Sequence, residues 1–313
     1  MLHPQTRALL DLIEARQIPP THTLSVADAR AFYRDRRAVT QPAPPAVAQV
    51  RELQASGPHG SIPLRLYRPL GSAESAVLPV LVYYHGGGWT IGDLDTHDVL
   101  CRELANGAGC AVVAVDYRMG PEHRFPAAVD DCIAATRWVR AHAAELRLDA
   151  TLLAVGGDSA GGNLAAVVSI AARDSGDLPI VFQLLIYPAT DAHRSHPSHT
   201  ENGQGYLLTK ETMDYFSDHY LPDRSQYDDW RVSPLLREDL AKLPPALVLT
   251  AGYDPLRDEG EAYAERLTAA GNRASYVCFE RQIHGFITMG KVLDEANTAV
   301  ALCAAELRRA FGA

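Results

Sequence analysis

Residues 152–165, Leu-Leu-Ala-Val-Gly-Gly-Asp-Ser-Ala-Gly-Gly-Asn-Leu-Ala, decide how this chain is read. Leu152–Val155 is a short apolar run of strand character, and Gly161–Arg173 is a small-residue helical run. Between them, Gly157-Asp158-Ser159-Ala160-Gly161 fits G-x-S-x-G, a pattern that holds a serine on a sharp, strained strand-to-helix turn. Small residues flank the serine because the strand and helix backbones come very close there.

The same rhythm extends outward. Apolar, β-rich runs recur at Leu78–Tyr84, Cys110–Asp116, Ile180–Tyr187, Ala246–Ala251 and Ser275–Phe279. They are nearly continuous rather than alternating, as in parallel strands covered on both faces. Helical segments fall between them at Asp98–Ala108, Ala127–Leu146, Asp258–Ala270 and Val292–Ala310. Ahead of them, Val47–Leu53 and Ile62–Tyr67 flank a Ser-Gly-Pro-His-Gly turn at 56–60, a hairpin-like start. Strand–helix alternation of this kind predicts an α/β class with a mostly parallel, eight-stranded sheet flanked by helices.

Two stretches lie outside that rhythm. Residues 1–45 read as two helices, one with Leu9, Leu10 and Ile13 on a stripe, the other opened by Ser25-Val26-Ala27-Asp28 and carrying Phe32 and Tyr33. Thr40–Pro45 reads as a linker. Residues 191–232 are polar, rich in His, Asp and Tyr, and hold one helical run, Lys210–Tyr220. Insertions in α/β folds often cover the site, so 191–232 reads as a lid-type insertion.

Composition narrows the function. The chain has 313 residues, 47% of them hydrophobic and 21% charged, which supplies a large core and excludes disorder. Twenty-nine basic against 38 acidic residues give −9, which argues against nucleic acid as a partner. No apolar run approaches the roughly 18 residues needed to span a bilayer. No signal peptide is read at the N-terminus. Cys101, Cys110, Cys132, Cys278 and Cys303 are odd in number and lack C-x-x-C spacing, so free thiols in a reducing cytoplasm are expected.

The chemistry concentrates at strand ends. His85-Gly86-Gly87-Gly88-Trp89 follows the run ending at Tyr84, and consecutive glycines let backbone N–H groups face a cleft. A serine nucleophile needs a base, and the base needs an acid to hold its tautomer. In the order Ser, Asp, His, Asp254 sits just past the run ending at Ala251, and His284 just past the last strand. Ser159, Asp254 and His284 are therefore the expected catalytic set. His193, His196 and His199 have a spacing that suggests metal but lie in the polar insertion, so they read as a solvated loop; no metal is expected. His85 reads as shaping the glycine loop, His142 as solvent-facing, Asp158 as ordering its turn, and Asp258 and Glu259 as first-turn helix acids.

With these residues in place, the chain resembles the bacterial hormone-sensitive-lipase-like (family IV) esterases of the α/β-hydrolase fold over roughly residues 45–312. The resemblance rests on 85–89, on 116–128 (Asp-Tyr-Arg-Met-Gly-Pro-Glu-His-Arg-Phe-Pro-Ala-Ala), on 157–162, on 187–191 (Tyr-Pro-Ala-Thr-Asp), on 254–260 (Asp-Pro-Leu-Arg-Asp-Glu-Gly) and on 284–286 (His-Gly-Phe). It departs from the family pattern at Met119-Gly120, where Leu-Ala is usual, and at Arg124, where Pro is usual. The resemblance implies Ser159 as nucleophile, His284 as base, Asp254 as its orienter, and an oxyanion hole from the N–H groups of Gly87, Gly88 and Ala160. It implies a catalytic domain of 46–190 and 233–313 under a helical cap of 1–45 and 191–232, and a carboxylesterase without cofactor, acting on a small-molecule ester, with dimerisation through the last strand and helix as a family-level expectation. Trp89, Phe32, Tyr33, Tyr206 and Leu207 are expected to line the pocket, and short to medium acyl chains are expected as substrates. Lactone, carbamate or amide hydrolysis on the same triad, or a binding-only scaffold, are the alternatives.

Overall fold

The computed structural model describes residues 1–312. Helices α1 (Pro4–Ala15), α2 (Val26–Asp35) and α3 (Arg37–Thr40) lead into the hairpin β1 (Gln49–Gly57) and β2 (Gly60–Arg68). Then come β3 (Leu78–Tyr84), α4 (Asp98–Ala108), β4 (Ala111–Val115), α5 (Ala127–Ala141), α6 (Ala143–Leu146), β5 (Leu148–Asp158), α7 (Ala160–Ser175) and β6 (Ile180–Ile186). Helices α8 (Ser198–Glu201) and α9 (Lys210–Tyr220) occupy the insertion, followed by β7 (Ala246–Tyr253), α10 (Arg257–Ala269), β8 (Ala274–Ile283) and α11 (Asp294–Phe311).

The eight strands form one sheet in the order β1-β2-β4-β3-β5-β6-β7-β8. Pairings β1–β2 and β2–β4 are antiparallel, and every later pairing is parallel. Strand alternation divides the core into two layers. Val80, Val82 and Tyr84 of β3 pack with residues of α5, α7 and α10 on one face. Leu81 and Tyr83 pack with α4 and α11 on the other. That two-sided burial is why the central strands read as unbroken apolar runs.

Local signals explain most boundaries. Ser25 caps α2: its Oγ accepts from the Asp28 N–H at 3.1 Å and donates to the Asp28 carboxylate at 2.6 Å. The expected single helix over Ala127–Leu146 is broken at His142, which is half-buried rather than solvent-facing. Its ring stacks on Trp138 at 4.1 Å and its Nδ1 lies 2.9 Å from the Trp138 carbonyl oxygen, so the side chain terminates α5. Strand β5 runs four residues earlier and three later than the apolar run alone indicates, because Gly156, Gly157 and Asp158 continue the ladder with β6. Cys101, Cys110, Cys132 and Cys303 are buried, Cys278 is half-buried, and all five thiols are free. Among the described residues no helix is long and apolar enough to cross a membrane.

Glu103 of α4 sits at some cost in this fold. Burial pushes its carboxyl up to about 7, from roughly 4.3 in an unfolded chain. The folded state therefore holds that proton more tightly. This group's contribution to stability is fullest below pH ~4, declines as pH rises, and is lost above pH ~7. Allowing for its residual exposure, Glu103→Gln should raise stability by about 1–2 kcal/mol at pH 8, or roughly 2–4 °C in Tm, and change little at pH 4. Thermal melts of both proteins at the two pH values check this; an equal shift at both would show that burial of the charge is not the cause.

Candidate active site

Register carries the site residues to one edge of the sheet. In the β3–β5 pairing Tyr84 lies opposite Gly157, so the glycine loop after β3 and the turn after β5 leave the sheet side by side. In the β7–β8 pairing Tyr253 lies opposite Ile283, so Asp254 and His284 emerge as neighbours. This is the carboxyl edge of the parallel strands, where open α/β sheets bind ligands.

Ser159 sits on the turn between β5 and α7 with φ 58° and ψ −118°, a strained backbone for a residue with a Cβ. The turn is held by Ser159 N–H donating to the Ile186 carbonyl at 2.8 Å and by Asn163 N–H donating to the Ser159 carbonyl at 3.0 Å. A Cβ on Gly161 would be driven into the Tyr84 carbonyl, so α7 approaches β3 this closely only with glycine there. Ser159 Oγ lies 2.9 Å from His284 Nε2, and His284 Nδ1 lies 2.7 Å from Asp254 Oδ2. Asp254 is fully buried, and its other oxygen accepts from the Leu256 N–H at 2.8 Å. A carboxylate only accepts, so it keeps the proton on Nδ1 and leaves Nε2 as the acceptor facing the serine hydroxyl.

The glycine loop lies against this row. Among the described residues, the N–H groups of Gly87 and Gly88 donate to no protein acceptor, and Ala160 N–H is a first-turn amide at the start of α7. Gly87 has φ 123°, and a Cβ there would collide with the Ile91 carbonyl. The loop is tied to the serine turn through buried Asp158, whose Oδ1 accepts from Tyr83 Oη at 2.8 Å and from Gly86 N–H at 3.0 Å. His97 Nε2 lies 3.3 Å from its Oδ2. Burial would raise the Asp158 carboxyl, but the opposing charge and hydrogen bond of His97, with the Tyr83 hydroxyl, hold it below its ordinary value. His85 stacks on Tyr117 at 4.4 Å, and burial, with His97 nearby, pushes its imidazole down to about 4. A neutral buried ring shapes the loop and carries no charge there at neutral pH.

A cavity of about 140 Å³ opens above these groups. Ser159, His284, Gly87, Gly88 and Ala160 line it, together with Trp89, Tyr33 and Leu207. Phe32 and Tyr206 do not, which corrects the sequence expectation for both. Phe32 follows a different helical direction from Tyr33, and the Tyr206 ring turns away to Tyr253 at 5.1 Å. Met213 and Phe216 of α9 form the opposite wall, and Trp89 is stacked on Tyr220 at 4.5 Å.

A family model described as α/β-hydrolase fold matches residues 81–288. The chain belongs to this α/β-hydrolase family. The hydrolase is 44% identical to the carboxylic ester hydrolase LipN of Mycobacterium tuberculosis over 302 residues, 89% of this chain and 79% of that protein. It is 37% identical to an ethyl acetate hydrolase of Pseudomonas putida over 315 residues, covering 98% and 99%. Its backbone superposes with TM-score 0.97 on an ester hydrolase from the metagenome of Lake Arreo, solved with a bipyridine phosphonate derivative; the two are 48% identical and each chain is covered in full.

One further correction concerns a polar group of the hydrolase. His199, expected in a solvated loop, is 8% exposed, and its Nε2 lies 2.6 Å from Glu259 Oε2. Glu259 is a first-turn acid of α10, as expected, and it is 1% exposed. Its Oε1 accepts the Thr190 and Asp191 N–H groups, so it pins the start of the insertion to α10. Nothing in a local window marks this pair, because its members are 60 residues apart.

Proposed function

We propose that the protein is a serine carboxylesterase of the hormone-sensitive-lipase-like type, acting on short- to medium-chain esters through an acyl-enzyme. The observation that carries the reading is the unbroken Ser159–His284–Asp254 row beside unengaged N–H groups in one cavity. Ser159 Oγ attacks the ester carbonyl as His284 Nε2 takes its proton, and Asp254 stabilises the imidazolium. Gly87, Gly88 and Ala160 N–H groups receive the oxyanion, and each such donor is typically worth about 10²–10³ in kcat. His284 then protonates the leaving alcohol and afterwards draws a proton from the water that frees the acid.

The cavity's size supports a short acyl arm: about 140 Å³ is close to the roughly 150 Å³ void that holds one benzene ring. A relative named ethyl acetate hydrolase supports the same range. In this reading residues 1–45 and 191–232 form the cap; Tyr33 comes from the first, Met213 and Phe216 from the second. Free thiols fit a cytoplasmic enzyme. The outer edge of β8, which among the described residues carries no further strand and takes only the His3 N–H on its Arg281 carbonyl at 3.0 Å, offers the surface for a homodimer.

The test is hydrolysis of p-nitrophenyl esters from acetate to palmitate. Activity should peak at short chains and fall steeply beyond the medium ones. Phe216→Ala removes a ring packed against Gly88 and should move the optimum about two carbons longer. A maximum at palmitate, or an optimum indifferent to residue 216, would contradict this account of the pocket.

A further inference from the structure

The ionised groups around the cavity are internally matched, with one exception. Arg194 is held by Asp214 and by Ser217 Oγ. Asp158 and Glu259 are engaged by the donors described above, and Asp191 accepts from the Ser195 hydroxyl and the His193 N–H. Arg36, at the end of α2, lines the same cavity as Ser159 and His284. Among the described residues its guanidinium makes no salt bridge; its side-chain partner is Tyr33, whose hydroxyl is raised by burial and held back by the charge and hydrogen bond of Arg36. Its neighbours behave differently: Arg30 pairs with Glu122, Arg34 with Asp93, and Arg37 donates to the Asp95 carbonyl. Instead, the Arg36 guanidinium carbon lies 4.1 Å from the centroid of the Tyr33 ring.

That placement suits anion recognition. One phenol hydroxyl occupies only part of a guanidinium's five N–H donors and neutralises none of its charge, so donors remain that match a carboxylate. The surrounding walls, with Trp89, Leu207, Met213 and Phe216, are largely apolar, so an ion pair formed there is screened less than one in open water.

Building on the serine-esterase reading, we propose that Arg36 is the recognition point for a carboxylate carried by the substrate, so that short esters with a free carboxylate are a favoured class. The carboxylate sits either on the acyl arm, as in a dicarboxylic acid hemi-ester, or on the alcohol arm, as in an acylated hydroxy acid. No other unpaired cation among the described residues of the wall competes for it.

The experiment compares kcat/KM for monoethyl glutarate and ethyl pentanoate (acyl arm), and for O-acetyl-lactate and its methyl ester (alcohol arm). Wild type, Arg36→Gln and Arg36→Lys are measured at low and high salt. For one arm, the anionic-to-neutral ratio should fall roughly 10–100-fold in Arg36→Gln, mainly through KM, with partial recovery in Arg36→Lys. Added salt should lower the same ratio in the wild type and much less in Arg36→Gln. Glutarate or lactate, whichever matches that arm, should inhibit the wild type competitively and Arg36→Gln more weakly. Equal losses on anionic and neutral esters would assign Arg36 to packing on Tyr33 and overturn the proposal. A ratio unaffected in both arms would overturn it too. If the wild type hydrolyses p-nitrophenyl acetate but none of the four esters, the subsite is overturned; if it hydrolyses none of the five, the esterase reading itself fails, and the subsite with it.

Discussion

Ser159→Ala should lower kcat for p-nitrophenyl acetate by roughly 10⁵–10⁶-fold, leaving a small residual rate above the uncatalysed one. The substitution removes one oxygen atom. The 2.9 Å contact with His284 is lost, while the 2.7 Å link between His284 and Asp254 and the free N–H groups of the glycine loop remain. Those groups still polarise a bound ester for attack by water, which accounts for the residue of activity. Alanine is also the substitution least able to disturb the turn: the Ser159 side chain forms no hydrogen bond that holds the backbone, and the strained φ of 58° already accommodates a Cβ. Fold and melting temperature should therefore be retained, and circular dichroism with a thermal melt checks that the loss is chemical. Retention of more than about a thousandth of the wild-type rate would mean that another group attacks the ester.

Asp254→Asn should cost about 10³–10⁴ in kcat with a smaller change in KM. An amide of the same shape fills the same buried place, so packing is preserved, but the donor and acceptor pattern is not. The Asn oxygen can still accept from the Leu256 N–H, which Asp254 Oδ1 now does at 2.8 Å. Its NH₂ then faces His284 Nδ1, and a donor at that point favours the tautomer with the proton on Nε2. A histidine with its proton on Nε2 cannot take one from Ser159. The tautomer can be read directly from the ¹⁵N shifts of the His284 ring, with the proton on Nδ1 in the native protein and on Nε2 in the variant. An unchanged tautomer with unchanged kcat would remove Asp254 from the mechanism and return it to the role of a turn residue.

How much of this was visible in the sequence follows from range. Strand–turn–helix at 152–173 and the near-continuous apolar runs announce a two-faced parallel sheet, because both signals are local and repeated. Ser159, Asp254 and His284 could be nominated from one rule, that ligands meet parallel strands at their carboxyl ends, and the β7–β8 register brings the last two together. The pocket wall was less legible. Phe32 and Tyr33 are consecutive on α2, and neighbours on a helix point about 100° apart, so only one of them can face a given cavity. Choosing between Tyr206 and Leu207 required knowing where Tyr253 lies, because that ring draws Tyr206 aside. His97, which touches Asp158, and the buried Glu259–His199 pair are contacts over 60 residues or more, and no periodicity encodes them. The break at His142 depends on a ring stacked on Trp138, a side-chain event that helix propensity does not include.

The central claim is that one serine is activated by one histidine in this cavity. It is tested most directly by reacting the intact protein with a p-nitrophenyl phosphonate ester, measuring the whole-protein mass, and mapping the labelled peptide. The account predicts one phosphonyl group per chain, carried on Ser159, with loss of ester hydrolysis in proportion to labelling and no adduct in Ser159→Ala. An adduct on another residue that tracks the loss of activity, or full inactivation without any mass on Ser159, would contradict it.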